Sequence, residues 1–305
     1  MTKQHSHKRP PSSRERPDVI AAQKVLAEMW PGPARESSVT LLKALHVLTR
    51  DGGLNLDTRR KLKQVLHLVQ LLRPSIDALL APENGEDGND PVIADLGTGK
   101  SYLGFILYDL VIGPAGRGSI VGVDVRAELV ERSQQLAKAC GFERMSFVAG
   151  GIADTVLPGG HAEGGRADMV TALHACDTAT DDAIRFALRH EAKVVALIPC
   201  CQAEVASLLE HAKPGPIDQL WRHPMHRREF GAHATNVLRG LVLEAKGYKV
   251  RVTEFTGLEH TLKNELILAT RHQQSNPVAR RKLDQLVEQL GVRPGLLDVM
   301  DAPAS

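Results

Sequence analysis

The segment Val92-Ile93-Ala94-Asp95-Leu96-Gly97-Thr98-Gly99-Lys100-Ser101 constrains the fold of this chain more than any other stretch. A short apolar run closes on an acid, and a glycine turn then opens into a helical pattern. Backbone N–H groups and a helix N-terminus therefore gather at a strand end, where a polar ligand can be held. Further runs at 119–124, 145–149, 167–173, 193–198, 249–255 and 265–271 read as strands. Helical patterns are expected between the first five strands, as parallel crossovers require, whereas only a short turn-rich link separates the last two. The expectation is an α/β fold with a seven-stranded sheet, mostly parallel, in which the last strand runs antiparallel.

Residues 1–17 carry Lys3, Lys8, Arg9, Arg14 and Arg16 among prolines and serines, the profile of a disordered basic arm. A helical region is expected over 18–82, in three segments. The third opens near Asp57-Thr58 as a cap and sets Leu62, Val65, Leu66, Val69 and Leu72 on one core-facing stripe. Residues 83–90 form an acidic linker, 91–272 a ligand-binding domain and 273–305 a helical tail with Leu283, Leu286, Val287 and Leu290. With 38 Lys+Arg against 36 Asp+Glu, the charge balance does not announce a nucleic-acid binder, so any basic patch must be local. Four cysteines without a regular framework fit a reducing, cytoplasmic compartment, and no signal peptide or membrane span is evident.

Two devices share the pattern at 92–101. Gly99-Lys100-Ser101 could end a phosphate-binding loop, but that motif needs a glycine where this chain has Ala94, inside the strand. The other reading is the Asp-x-Gly-x-Gly turn of a class I S-adenosylmethionine-dependent methyltransferase. Asp95 then points at the methionine end of the cofactor, and Gly97, Thr98 and Gly99 allow close backbone approach. Asp124 follows 29 residues later at the next strand end, where a carboxylate can accept from both ribose hydroxyls, with Val125 beside it. Spacing and strand context favour this second reading. Gly151 and Ile152 can pack on an adenine ring, and Asp154 either accepts from its amine or caps a helix.

Strand four leads into His174-Ala175-Cys176-Asp177-Thr178-Ala179-Thr180-Asp181, and strand five into Pro199-Cys200-Cys201-Gln202. His174 suits proton removal near neutral pH, or it satisfies loop carbonyls as a buried histidine. Asp177 and Asp181 either orient that histidine or cap the next helix, with capping favoured for Asp181. Cys200 or Cys201 could add to a pyrimidine as a thiolate, or pack as a small hydrophobe. A metal site is not expected, because adjacent cysteines and a distant His-x-x-His lack the usual ligand spacing. Trp221-Arg222-His223-Pro224-Met225-His226-Arg227-Arg228 reads either as a loop that binds phosphates and stacks a base, or as a solvated loop.

These segments together resemble a group of Rossmann-like methyltransferases with His-x-Cys-x-x-Ala-Thr-Asp after strand four and Pro-Cys-Cys after strand five. A tRNA acceptor-stem 2′-O-methyltransferase is similar to that group at a distance. The resemblance covers roughly 91–271 and implies S-adenosylmethionine as cofactor, with His174 also near it. RNA is the expected acceptor, met through residues 1–17 and Trp221 to Arg228. A protein or small-molecule acceptor, or a non-catalytic cofactor-binding scaffold, are the competing expectations.

Overall fold

The computed structural model describes residues 17–32, 34–81, 90–158, 165–173, 175, 177–213, 215–254 and 265–301. Two compact units divide at Lys63/Gln64, inside a helix, whereas the sequence placed the change of organisation at 83–90. The first unit holds α1 (Pro17–Leu26), α2 (Glu36–Ala44) and the start of α3 (Leu56–Leu80). Val19, Ala22 and Leu26 of α1 are buried, as are Val39, Leu41 and Leu42 of α2. Gly52 does more than break a helix. A Cβ there would lie 2.4 Å from the Asp18 carbonyl oxygen and 2.8 Å from the Ala22 nitrogen. The cap of α3 is Asn55, not Asp57-Thr58, because the Asn55 Oδ1 accepts from the Thr58 N–H at 2.8 Å. Along α3, Leu62, Leu66, Val69 and Leu72 are buried and Val65 is half-buried, so the expected stripe faces a core.

The second unit contains the sheet: β1 (Val92–Leu96), β2 (Ser119–Asp124), β3 (Met145–Ala149), β4 (Met169–Leu173), β5 (Val194–Ile198), β6 (Tyr248–Glu254) and β7 (Glu265–Arg271). Their order is β3-β2-β1-β4-β5-β7-β6. The first five strands pair in parallel, and β7 runs antiparallel to both neighbours, β5 and β6. Strands at the centre are buried on both faces and read as continuous apolar runs, the mark of a sheet covered by helices. The order reverses beside β1. That places a ligand crevice at the carboxyl ends of β1 and β4.

The connecting helices are α4 (Tyr102–Leu107), continued through a π turn at Tyr108–Ile112 into α5 (Gly113–Ala115), then α6 (Ala127–Ala139), α7 (Thr178–Arg189), α8 (Glu204–Glu210) and α9 (Pro224–Ala245). Between β3 and β4 the described residues hold only a turn at 152–154, where a helix was expected. Glycines at 150, 151, 159, 160, 164 and 165 and Pro158 leave that crossover without helix-forming sequence. Asp154 therefore caps no helix among the described residues. The chain closes with α10 (Pro277–Leu290), capped by Asn276 Oδ1, which accepts from the N–H groups of Val278 and Ala279 at 3.1 Å. Leu283, Leu290, Val292, Leu296 and Leu297 join the same buried cluster as Val195 and Leu197 of β5. The C-terminal segment is thus part of the domain core.

Candidate active site

The turn after β1 is shaped from beneath. Asp95 is 3% exposed, and its carboxylate accepts from the hydroxyls of Thr98 at 2.7 Å, Thr171 at 2.8 Å and, weakly, Ser101 at 3.5 Å. Burial pushes the Asp95 carboxyl above its ordinary range, against the downward pull of these three hydroxyls. Gly97, Gly99 and Ser101 all take left-handed backbone conformations, with φ of 65°, 56° and 51°. Two of the three positions carry the residue that tolerates this, and Ser101 is held there by the side chain it offers to Asp95. A Cβ on Gly104 would stand 2.6 Å from the Ser101 Oγ and 3.2 Å from an Asp95 oxygen, so only glycine lets α4 tuck under the turn. Nothing in the sequence pattern marked Gly104. Thr98 also donates its N–H to the Val123 carbonyl at 3.0 Å, which ties the turn to β2. Lys100 is exposed, and the buried Ser101 faces Asp95 in place of a phosphate.

Two apolar side chains lie close to the turn. A Cβ on Gly97 would meet Ala175 at 3.9 Å and Ile152 at 4.0 Å, one from the end of β4 and one from the end of β3. Asp124, 4% exposed, closes β2. It accepts from the Gly99 N–H at 2.7 Å and the Arg126 N–H at 3.0 Å. The Arg126 guanidinium adds a two-pronged pair, Nε at 2.9 Å and Nη2 at 3.0 Å. Burial works to raise the Asp124 carboxyl, but the Arg126 bonds and charge outweigh it and hold the group below its ordinary value. Val125 beside it is 71% exposed, an unusual state for a large apolar side chain. Asp154 is exposed, and Gly151 is half-buried with its carbonyl accepting from the Thr155 hydroxyl at 2.6 Å.

His174 and Cys176 lie outside the described residues. Asp177 neither caps α7 with its side chain nor adopts ordinary backbone geometry, having φ 49° and ψ −119°. Instead its N–H donates to the Cys201 carbonyl at 2.8 Å, and its Oδ1 accepts from the Ala203 N–H at 2.9 Å. It is a clamp between the loops after β4 and β5. Nor does Asp181 cap the helix. It pairs with the fully buried Arg239, whose Nε reaches it at 2.6 Å while Nη2 donates to the Asp177 carbonyl at 2.8 Å. Burial drives the Asp181 carboxyl upward, and Arg239 opposes that shift. Arg239 also donates to Asn236 Oδ1 at 3.2 Å, Gln202 Nε2 donates to the same oxygen at 3.1 Å, and Asn236 Nδ2 donates to Glu265 at 2.9 Å. The half-buried Cys200 and exposed Cys201 bring their sulfurs to 3.7 Å without a disulfide.

Residues 60–208, just under half of the chain, match the family model described as a methyltransferase domain. This segment is similar to a methyltransferase domain. Transfer of a methyl group is the reaction that this match supports, with S-adenosylmethionine as the donor. No curated protein sequence matches the chain. Among solved structures it is similar to the S-adenosylhomocysteine-bound methyltransferase PaMTH1 of Podospora anserina, at 12% identity and TM-score 0.46, covering 88% of this chain and 100% of that one. It is also similar to an rRNA methylase from Streptococcus thermophilus, at 10% identity and TM-score 0.38, covering 61% and 89% of the two chains. A third similarity is to a SAM-dependent methyltransferase from Aquifex aeolicus, with 18% identity, TM-score 0.35 and coverages of 67% and 96%.

The methyltransferase domain fits this donor by its own chemistry. Asp124 is an ionised carboxylate at a strand end, suited to a diol, while Ala175 and Ile152 beside Gly97, with the exposed Val125, offer apolar side chains to a flat ring. Bound there, the donor supplies an electrophilic methyl group, and the residues around it need only bind and orient.

One expectation about the acceptor side of the methyltransferase domain fails. Trp221 is 5% exposed and stacks on Phe230 at 5.1 Å, so it is core and cannot receive a base. From Pro224 onward the expected loop is already α9, since proline at the first helical position presets its φ. Arg222, His223, His226 and Arg228 are exposed, and Arg227 pairs with Glu210 at 2.9 Å. Among the described residues no helix is long and apolar enough to cross a membrane, and no cluster of three or more metal-ligating side chains occurs.

Proposed function

We propose that this methyltransferase acts on RNA. The single observation that carries the reading is the exposed basic group Arg222, His223, His226 and Arg228 at the start of α9. Because α9 feeds β6, which runs parallel to β5, the helix begins at the carboxyl edge of the sheet, on the side of the cofactor crevice. Leu220 and Met225, at 57% and 58% exposed, interleave with these side chains, and the Arg222 and Arg228 cations beside exposed apolar side chains suit a backbone of phosphates and unstacked bases. The resemblance of His174 to Asp181 and Pro199-Cys200-Cys201 to a group to which a tRNA methyltransferase is distantly similar supports the same acceptor. Asp124 accepts the ribose hydroxyls, Val125, Gly151, Ile152 and Asp154 surround the adenine, and Gly97 to Gly99 approach the methionine end. Asp95 serves by holding that turn. His174 is the group we assign to proton removal from the acceptor, and cysteines outside any disulfide among the described residues suit a reducing, cytoplasmic setting.

The test uses methyl-tritiated cofactor with RNA and protein fractions from cells lacking the enzyme. Label in RNA is expected, lost when Arg222 and Arg228 are changed to alanine. Label confined to protein would refute the acceptor assignment while leaving the methyltransferase intact.

A further inference from the structure

We propose that Arg126 occupies the ribose position of the cofactor site and that the cofactor enters by displacing its guanidinium from Asp124. The inference rests on the assignment of Asp124 to the ribose, and it follows from a count of hydrogen bonds. A carboxylate offers about four lone-pair sites. All four are taken: Oδ1 accepts from the Arg126 N–H and Nε, and Oδ2 accepts from the Gly99 N–H and Arg126 Nη2. Two of the donors belong to backbone that forms the turn and the start of α6, and these cannot leave without unfolding the site. The other two belong to one side chain that is 54% exposed and free to swing into water.

A ribose diol brings two O–H donors, which replace the two departing N–H donors one for one. Asp124 stays saturated in both states, so the exchange leaves no buried carboxylate oxygen unpaired. A Cβ on Gly99 would stand 3.5 Å from Arg126 Nη2, so the guanidinium lies directly against the turn that the ribose must approach. Closed and open forms therefore compete for one acceptor, and apparent cofactor affinity is reduced by the fraction of molecules that are closed.

The experiment is calorimetric titration of the full chain with S-adenosylhomocysteine at low and high salt. Arg126→Ala should bind about three- to tenfold more tightly than the unchanged chain, the range expected for loss of a partly exposed ion pair as competitor. Arg126→Lys, which cannot fork onto both oxygens, should fall between them. Raising salt from about 50 to about 500 mM should tighten binding to the unchanged chain relative to Arg126→Ala, because the ion pair is screened. Equal or weaker binding by Arg126→Ala, with its melting temperature kept, would overturn the displacement and make Arg126 a bystander or a direct contact. Asp124→Ala separates the two ideas. Unchanged affinity there would remove the ribose assignment itself, whereas lost affinity with no Arg126 effect would remove only the displacement.

Discussion

Replacing Arg239 by methionine should destabilise the protein in a strongly pH-dependent way. The change keeps the bulk of the side chain but leaves Asp181, 3% exposed, without its cation. A bare buried carboxylate is so costly that the group will instead take a proton in the folded state. The cost is then capped by the work of protonating a carboxyl with an ordinary value of 3.8. At pH 7 that is about 4.4 kcal/mol, and at pH 5 about 1.6 kcal/mol. The sign follows directly: the folded pKa lies above the unfolded one, so the folded state binds the extra proton and the variant regains stability as pH falls towards 3.8. Loss of the donor to the Asp177 carbonyl adds roughly 1 kcal/mol or more at either pH. Urea unfolding followed by circular dichroism at the two pH values measures both quantities. Changing Asp181 to leucine in the same molecule should abolish the pH dependence. A destabilisation below about 1 kcal/mol, or one that is equal at pH 5 and pH 7, would refute the reasoning.

Gly104→Ala should weaken S-adenosylhomocysteine binding by about 5- to 150-fold, the equivalent of 1–3 kcal/mol, since its Cβ would displace Ser101 from Asp95; calorimetry that finds wild-type affinity would contradict this. Trp221→Ala should lower stability by about 3–5 kcal/mol in urea unfolding and leave the salt dependence of RNA binding unchanged, as befits a core residue. Arg228→Ala should leave folding intact and reduce the slope of log affinity against log salt by about one, measured by filter binding to the labelled RNA. Because Asp124 is held below its ordinary value of 3.8, its ionisation imposes no loss of cofactor affinity between pH 5 and pH 8; loss begins only as pH falls through that lowered value, and calorimetry across the range would reveal any earlier decline.

Strand positions were readable because each strand is a short apolar run bounded by turn residues, and the ranges at 119–124, 145–149 and 265–271 coincide with β2, β3 and β7. Asp95 and Asp124 were readable for the same reason, as acids at strand ends. What escaped depends on distant partners. Arg239 sits in a helix that looks amphipathic, and only its meeting with Asp181, 58 residues earlier, makes its burial tolerable. Trp221 looked like a base-stacking side chain until Phe230 covered it. Asn55 took the cap expected at Asp57-Thr58, a shift of less than one helical turn that local propensity does not decide. Arg126 lies two residues from Asp124, yet its fork onto both carboxylate oxygens is a rotamer choice invisible to spacing.

The clamp at Asp177 has a kinetic consequence. Its N–H holds the loop after β5 and its carboxylate holds Ala203, while its own carbonyl is held by the buried Arg239. At Asp177 the loop after β4 is therefore tied to 201–203 of the loop after β5. An acceptor cannot enter by prising one loop from the other, so the conformational adjustment of binding falls on the acceptor. Association should then be limited by how often the acceptor presents its reactive group already turned outward; for the proposed RNA acceptor, a flexible, unpaired segment should be captured faster than a rigid duplex.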